Sequence, residues 1–129
     1  MKVLVQRVSQ ARVRVDGQMR GEIGPGLVLL IGIHIDDDEK SLRFCAEKCA
    51  HLRICADDEG KMNRSVIDNG GQVLAISQFT LYGDCRKGRR PGFTDAALPA
   101  KAEPLYERFI QLLEELGLTV ARGVFGAHM

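Results

Sequence analysis

The feature that most constrains the fold is a short apolar run between glycine-rich breaks. Residues 73–77 are all apolar or small, and they follow Gly70-Gly71. A run of this length bounded by glycines is typical of a strand that is buried on both faces. We therefore predict a central strand over residues 72–82, which ends immediately before Gly83.

Three polar side chains, Ser77, Gln78 and Thr80, fall in the last part of this predicted strand. Burying them without partners would cost about 1–3 kcal/mol each, so something must hydrogen-bond them. A ligand at the strand end is one candidate, and the backbone amides of Gln78 and Phe79 could then bind a carbonyl oxygen or an oxyanion. A core strand with a satisfied polar end explains the same residues without any such function.

A basic segment follows, with four cations in five positions: Arg86, Lys87, Arg89 and Arg90. The whole chain has 18 basic and 17 acidic side chains, so the rest of the molecule is slightly acidic. A local basic patch on such a body favours a specific contact with a polyanion such as a nucleic acid. A surface turn with solvated cations is the alternative.

The composition indicates a soluble globular protein. The 129 residues are 45% hydrophobic, and we expect a single domain over residues 1–129. No apolar run approaches the roughly 20 residues that a membrane helix needs. The first seven residues reach charged side chains too early for a signal peptide. We therefore expect a cytoplasmic protein with no membrane partner.

Hydrophobic periodicity predicts strands and two helices. An alternating pattern indicates a strand over residues 2–15 with a bend near residues 7–10, and Asp16-Gly17 is a strong hairpin signal. Further strands are predicted at residues 18–23, 27–33, 53–56 and 118–124. Helical spacing indicates helices over residues 39–52 and 100–116. Together these elements predict a mixed α/β fold with a mainly antiparallel sheet or partial barrel covered by two helices.

Ser77 and Thr80 are the candidate nucleophiles, because a nucleophilic enzyme needs an activated hydroxyl or thiol beside a base. None of the three histidines, His34, His51 and His128, has a spacing that signals a catalytic triad. Each is better explained as a surface or capping residue. We therefore expect that neither hydroxyl group forms a covalent intermediate.

The four cysteines, Cys45, Cys49, Cys55 and Cys85, include no Cys-x-x-Cys pair. A metal site with the nearby His51 is conceivable, but the spacing of Cys45 and Cys49 suits the core face of a helix better. We predict free thiols, as is usual in the cytosol, with no metal and no other cofactor.

Several segments together resemble the D-aminoacyl-tRNA deacylase family. The resemblance spans the chain in order and includes Gln6-Arg7-Val8, Glu22-Ile23-Gly24-Pro25-Gly26-Leu27, Gly60-Lys61-Met62-Asn63, Ser77-Gln78-Phe79-Thr80-Leu81, residues 86–97 and Phe125-Gly126-Ala127. It implies an enzyme that hydrolyses the ester between a D-amino acid and the terminal adenosine of tRNA. It also implies removal of glycine mischarged on tRNA-Ala, proofreading in translation, and a homodimer without metal.

The resemblance also implies roles for individual residues. Ser77, Gln78, Phe79 and Thr80 are expected to line the catalytic aminoacyl pocket, with the substrate's own ribose 2′-hydroxyl assisting and Thr80 as a rival nucleophile. The pocket wall is expected to include Phe125, Gly126 and Met129. Arg7 is expected to support the motif that selects the substrate. Because the basic segment carries four cations on an otherwise acidic body, we expect it to bind the 3′ end of the aminoacylated tRNA.

One departure from the family lies at the end of the chain. The family continues past Met129 with another strand and a Gly-Pro pair that reaches into the partner's pocket and rejects L-amino acids. Residues 1–129 contain neither, because Gly24-Pro25 sits in an early turn. We therefore expect poor discrimination between D- and L-aminoacyl-tRNA from these 129 residues. A tRNA-binding protein of the same fold without turnover is the alternative function.

Overall fold

A four-stranded mixed sheet organises the chain, which a computed structural model describes over residues 1–129. The strands are β1 (Lys2–Val8), β2 (Ala11–Val15), β3 (Gln18–Ile23), β4 (Gly26–Gly32), β5 (Cys55–Ala56), β6 (Met62–Arg64), β7 (Gln72–Ser77) and β8 (Thr119–Arg122). The helices are α1 (Glu39–His51) and α2 (Pro99–Glu115), and a turn of 3-10 helix spans Phe79–Tyr82. Neither helix has the combination of length and hydropathy that a membrane-spanning segment needs.

The sheet has the strand order β1-β4-β7-β8 and does not close into a barrel. β1 pairs antiparallel with β4, whereas β4–β7 and β7–β8 are parallel. Two hairpins, β2–β3 and β5–β6, are antiparallel. Antiparallel pairings are therefore the majority, and the predicted class, a mixed α/β fold with two helices on a mainly antiparallel framework, is confirmed.

The central strand β7 is buried from both sides, as its apolar run predicts. Val73 and Ala75 belong to the large core that also contains the inner faces of α1 and α2. Leu74 and Ile76 belong to a smaller core with residues of the β2–β3 hairpin. The molecule thus has three layers, and a strand between two layers cannot alternate apolar with polar residues.

The turn signals in the N-terminal half are confirmed. Asp16 and Gly17 both have positive φ angles, 52° and 77°, as a two-residue hairpin turn of this twist requires. The predicted bend in the first strand corresponds to the break between β1 and β2. α1 begins after Asp38, whose carboxylate accepts from the Ser41 N–H at 3.0 Å while the Ser41 hydroxyl accepts from the Asp38 N–H.

The predicted central strand is too long at its C-terminal end. Pairing with β4 stops at Ile31 and Ser77, because β4 leaves the sheet at Gly32 and offers no further partner. The chain then turns, with the Leu81 N–H donating to the Gln78 carbonyl and the Gly83 N–H to the Thr80 carbonyl. Residues 79–82 are therefore a 3-10 turn, and the polar residues stand at the end of the strand.

Candidate active site

A cavity of about 410 Å³ opens at the C-terminal ends of β4 and β7. Its first wall is the turn after β7, its second is the start of α2, and its third is the segment after β8. The lining residues are apolar, small or uncharged: Ile33, Ser77, Gln78, Phe79, Phe93, Ala96, Ala97, Leu98, Pro99, Ala102, Phe125, Gly126 and Ala127. Of the expected pocket residues, Ser77, Gln78, Phe79, Phe125 and Gly126 therefore lie together at this cavity.

Backbone groups in the first wall differ from the sequence prediction in one respect. The Gln78 N–H donates to the Ile31 carbonyl at 2.8 Å, so it is not free for a ligand and this part of the prediction is wrong. The cause is that β7 pairs one residue further than its apolar run. The first amides of a 3-10 turn have no partner within the turn, which leaves the N–H groups of Phe79 and Thr80 for a ligand.

Thr80 is exposed and its hydroxyl oxygen accepts a hydrogen bond from the Gln78 side-chain amide. An amide donor does not remove a proton, so this contact orients the hydroxyl group without activating it. Thr80 is outside the cavity lining, whereas Ser77 is part of it.

No titratable side chain lines the cavity. His34 lies outside it, where its Nδ1 accepts from the Asp36 N–H at 3.0 Å and its ring packs edge-on against Tyr82. His51 and His128 are not lining residues either. The lining residues of this chain therefore supply neither an acid nor a base to the cavity.

Two aromatic pairs shape the cavity walls. Phe79 and Phe93 meet edge to face with ring centroids 5.3 Å apart, and Phe79 remains 55% exposed at the mouth. Phe125 in the third wall packs on Tyr106 with centroids 5.7 Å apart. Leu98, the residue before α2, is 77% exposed on the opposite side of the mouth. The mouth thus presents apolar surface that a ligand could cover.

Met129 stands behind the third wall. Its sulfur lies so close over Gly123 that a Cβ atom at that glycine would overlap it. It is not part of the lining, which at this end of the chain comprises Phe125, Gly126 and Ala127. Its effect on the cavity is therefore indirect.

Arg7 lies at the other end of the sheet. It pairs with Leu27 near the start of β4, four residues before Ile31, which corresponds to about 13 Å along the strand. Its guanidinium donates to the Ile54 carbonyl at 3.0 Å. Arg7 does not contact the cavity of its own chain. It therefore does not support the pocket within the same chain.

The basic segment forms a loop between Asp84 and Gly92, which pair as an antiparallel bridge. The Arg86 guanidinium donates three hydrogen bonds to Asp84, at 2.8, 2.9 and 3.2 Å, and the Arg86 backbone N–H donates a fourth at 3.0 Å. These contacts lower the pKa of the Asp84 carboxyl to about 2. The other three cations, Lys87, Arg89 and Arg90, are exposed and make no hydrogen bond or ion pair within the chain. The loop leads directly to Phe93 in the cavity lining, which follows Arg90 by three residues.

The second wall was not foreseen from the sequence. Ala96, Ala97 and Ala102 leave the space in which the cavity forms, but small residues near a helix start carry no specific signal. All four cysteines are free thiols. No three His, Cys, Asp or Glu side chains are grouped as a metal site would require.

This chain is similar to known proteins in sequence and in fold. A family model described as D-Tyr-tRNA(Tyr) deacylase matches residues 4–129. A D-aminoacyl-tRNA deacylase from Shouchella clausii (strain KSM-K16) is 64% identical over 129 residues, which are all of this chain and 88% of the relative. Another of the same name, from Symbiobacterium thermophilum, is 57% identical over the same length and is covered to 85%.

Two solved structures are similar to the whole chain. A c-Myc DNA Unwinding Element Binding Protein superposes with a TM-score of 0.94 at 37% identity, covering 99% of this chain and 87% of that one. A probable eukaryotic D-amino acid tRNA deacylase superposes with a TM-score of 0.82 at 18% identity, covering 98% and 89%. The second likeness supports the fold alone.

Proposed function

This chain belongs to the D-Tyr-tRNA(Tyr) deacylase family, and we propose that its cavity holds the aminoacyl end of a D-aminoacyl-tRNA while the ester bond is hydrolysed. The protein is accordingly a hydrolase that acts on a carboxylic ester. The products are free tRNA and a D-amino acid.

The observation that supports this proposal is a cavity with amide donors but without an acid or base. An aminoacyl ester is already activated, so its hydrolysis needs positioning and stabilisation of the developing oxyanion more than a strong nucleophile. The amides of Phe79 and Thr80 would receive the carbonyl oxygen. The substrate's ribose 2′-hydroxyl would assist the attack of water on the carbonyl carbon. The bond to the ribose oxygen then breaks, and that oxygen takes up a proton.

Substrate range, tRNA binding and assembly are parts of the same proposal. The small alanine side chains of the second wall suit a compact aminoacyl group. Glycine on tRNA-Ala would be a second substrate, and its removal would give the enzyme a proofreading role in translation.

The free cations Lys87, Arg89 and Arg90 would bind phosphates near the acceptor end. Arg7, remote from the cavity of its own chain, would act on the pocket of a partner in a homodimer. The site of action would be the cytoplasm.

The decisive experiment fills the cavity without touching any polar group. Ala102→Leu adds three carbons to the second wall, and we expect at least about tenfold slower deacylation of D-tyrosyl-tRNA, since misplacement by about 1 Å can cost about 100-fold. Ala100→Leu is the matched control, because Ala100 is exposed on the same helix turn. Equal rates for both variants, at equal melting temperature, would place the reaction elsewhere.

Binding without turnover is distinguished in the same assay. A protein that only binds tRNA would retain it on a filter and leave the ester intact in single-turnover conditions. Because one similar structure is named for binding a DNA element, duplex DNA serves as a competitor. Displacement of tRNA by an equal concentration of duplex DNA would argue against specific recognition of an aminoacylated end.

A further inference from the structure

One backbone carbonyl links the elements that carry all three cavity walls. The carbonyl oxygen of Ala75, two residues before Ser77, accepts a hydrogen bond from the Tyr106 hydroxyl at 3.0 Å. It also accepts one from the Gly123 N–H at 3.2 Å. Tyr106 belongs to α2, and Gly123 precedes the segment that carries Phe125. A single oxygen on β7 is therefore bonded to the two elements that face it.

Tyr106 lies on α2, which carries the second wall, and it contacts the elements that carry the first and third walls. It follows Ala102, a lining residue, by one helical turn, so both side chains lie on the same face of α2 and Tyr106 lies next to the cavity on its inner side. Its ring packs on Phe125 while its hydroxyl reaches Ala75. The side chain is 1% exposed, and burial raises the pKa of this phenol to about 12, so it keeps its proton to donate.

The hydroxyl group of Tyr106 has no other task within the chain. Its only hydrogen bond is to Ala75, and a phenylalanine would fill the same space and keep the ring contact with Phe125. The residue is also outside the cavity lining, so it does not touch a ligand. The hydroxyl group therefore joins α2 to β7 and is not part of the cavity surface.

Resting on the proposed function, we propose that Tyr106 is a positioning residue for the deacylation. Its hydroxyl holds the end of β7 through Ala75 and its ring holds Phe125, which fixes the distance between the Ser77–Phe79 wall and the terminal wall. The aminoacyl ester must fit between these walls, so the hydrogen bond and the ring packing set the pose in which water attacks.

The test variant is Tyr106→Phe. The Ala75 carbonyl keeps its bond from Gly123, so no buried polar group is left unpaired and the fold is retained. We expect kcat to fall about tenfold or more, because small displacements of a bound ester are costly. KM should stay nearly constant, because tRNA affinity comes mainly from phosphate contacts.

Tyr82→Phe is the matched control. Tyr82 is the only other tyrosine in the chain and is also buried, but its hydroxyl makes no hydrogen bond within the chain. It is not a lining residue. This control should keep the wild-type kcat and KM.

A second measurement follows the terminal wall without any substrate. The ε-methyl groups of the four methionines can be observed by ¹³C NMR, and Met129 is the one that packs over Gly123. Tyr106→Phe should shift or broaden the Met129 signal and leave Met19 and Met62, which are exposed, unchanged. Met129→Leu assigns the signal.

The two readouts separate the inference from the function on which it rests. Wild-type protein without deacylase activity would defeat the proposed function, while the NMR comparison would still test the positioning of the wall. Lower kcat together with a shifted Met129 signal, in Tyr106→Phe but not in Tyr82→Phe, supports the proposal. An unchanged kcat, an unchanged Met129 signal, or equal losses in both variants would overturn it.

Discussion

Asp37 is a buried carboxylate that ties the N-terminus to the entry of α1. It accepts from the Met1 ammonium at 2.8 Å and from the His34 N–H at 2.7 Å. Burial alone would raise the pKa of this carboxyl, but hydrogen bonds from the ammonium, from His34 and from Ser41, with the ammonium charge, lower it below its ordinary value of 3.8. The carboxylate is therefore charged at neutral pH and pairs with a cation that has no access to solvent.

Asp37→Asn should lower the free energy of unfolding by roughly 3–5 kcal/mol at pH 7, because it leaves a buried charge without its partner. Since the folded pKa lies below the unfolded one, the carboxylate stabilises the fold above about pH 3.8 and this contribution is lost as the pH falls through the folded pKa. The difference between wild type and variant in urea unfolding should therefore shrink in acid. Asp36→Asn, at an exposed neighbour, is the control, and equal stability at pH 7 would contradict the assignment.

Ser77 is the only hydroxyl group in the cavity lining, and no base stands beside it. Ser77→Ala should reduce single-turnover deacylation by less than about tenfold, whereas removing a true serine nucleophile costs about 10⁴-fold or more. Thr80→Val tests the rival hydroxyl in the same way. A covalent aminoacyl-enzyme found at either residue by mass spectrometry would refute a mechanism based on backbone groups and substrate.

At the scale of elements, the loop between Asp84 and Gly92 separates its cations into two kinds. Arg86 is bound to Asp84, whereas Lys87, Arg89 and Arg90 are free. A free arginine can displace counterions from a phosphate and bind it directly, but one already paired with a carboxylate gains less. Under the proposed function, these three free cations are the ones that would bind phosphates of the tRNA.

Changing Arg89 and Arg90 together to alanine should weaken tRNA binding and flatten its salt dependence. The slope of log K against log salt should fall by about 0.7–0.9 for each phosphate that the variant no longer neutralises. The control changes Arg12 and Arg14 to alanine, which removes the same charge from an exposed face of β2. An unchanged slope in the loop variant, or an equal change in the control, would show that the loop is not the binding element.

Most helices and strands could be predicted from short stretches of sequence. Apolar runs, the Asp16-Gly17 turn and the acidic cap before α1 each act within a few residues, so they could be predicted. The end of β7 could not, because it depends on where β4 leaves the sheet, and β4 is more than forty residues away in the chain. The same dependence shifted the predicted pair of amide donors by one residue, from Gln78 and Phe79 to Phe79 and Thr80.

At the scale of the molecule, the site depends on distances that a sequence does not encode locally. The motif Ser77-Gln78-Phe79 and the terminal Phe125 were expected at the pocket, and the fold brings them together. The position of Arg7 follows from the register of β1 on β4, which puts it at the far end of the sheet. The alanines of the second wall matter because α2 docks with its first turn on the cavity, a tertiary fact with no local signature.

A cavity without a titratable side chain has a consequence for mutational robustness. When catalysis depends on one histidine or serine side chain, a single amino-acid substitution can abolish the activity and leave the fold intact. Here the amide donors are common to nearly all amino acids, so few single substitutions can delete them. Loss of activity would instead have to come through replacements that move the backbone or fill the space, and most of those also disturb packing in a close-packed interior. Selection for a stable fold would then preserve much of the chemistry as well.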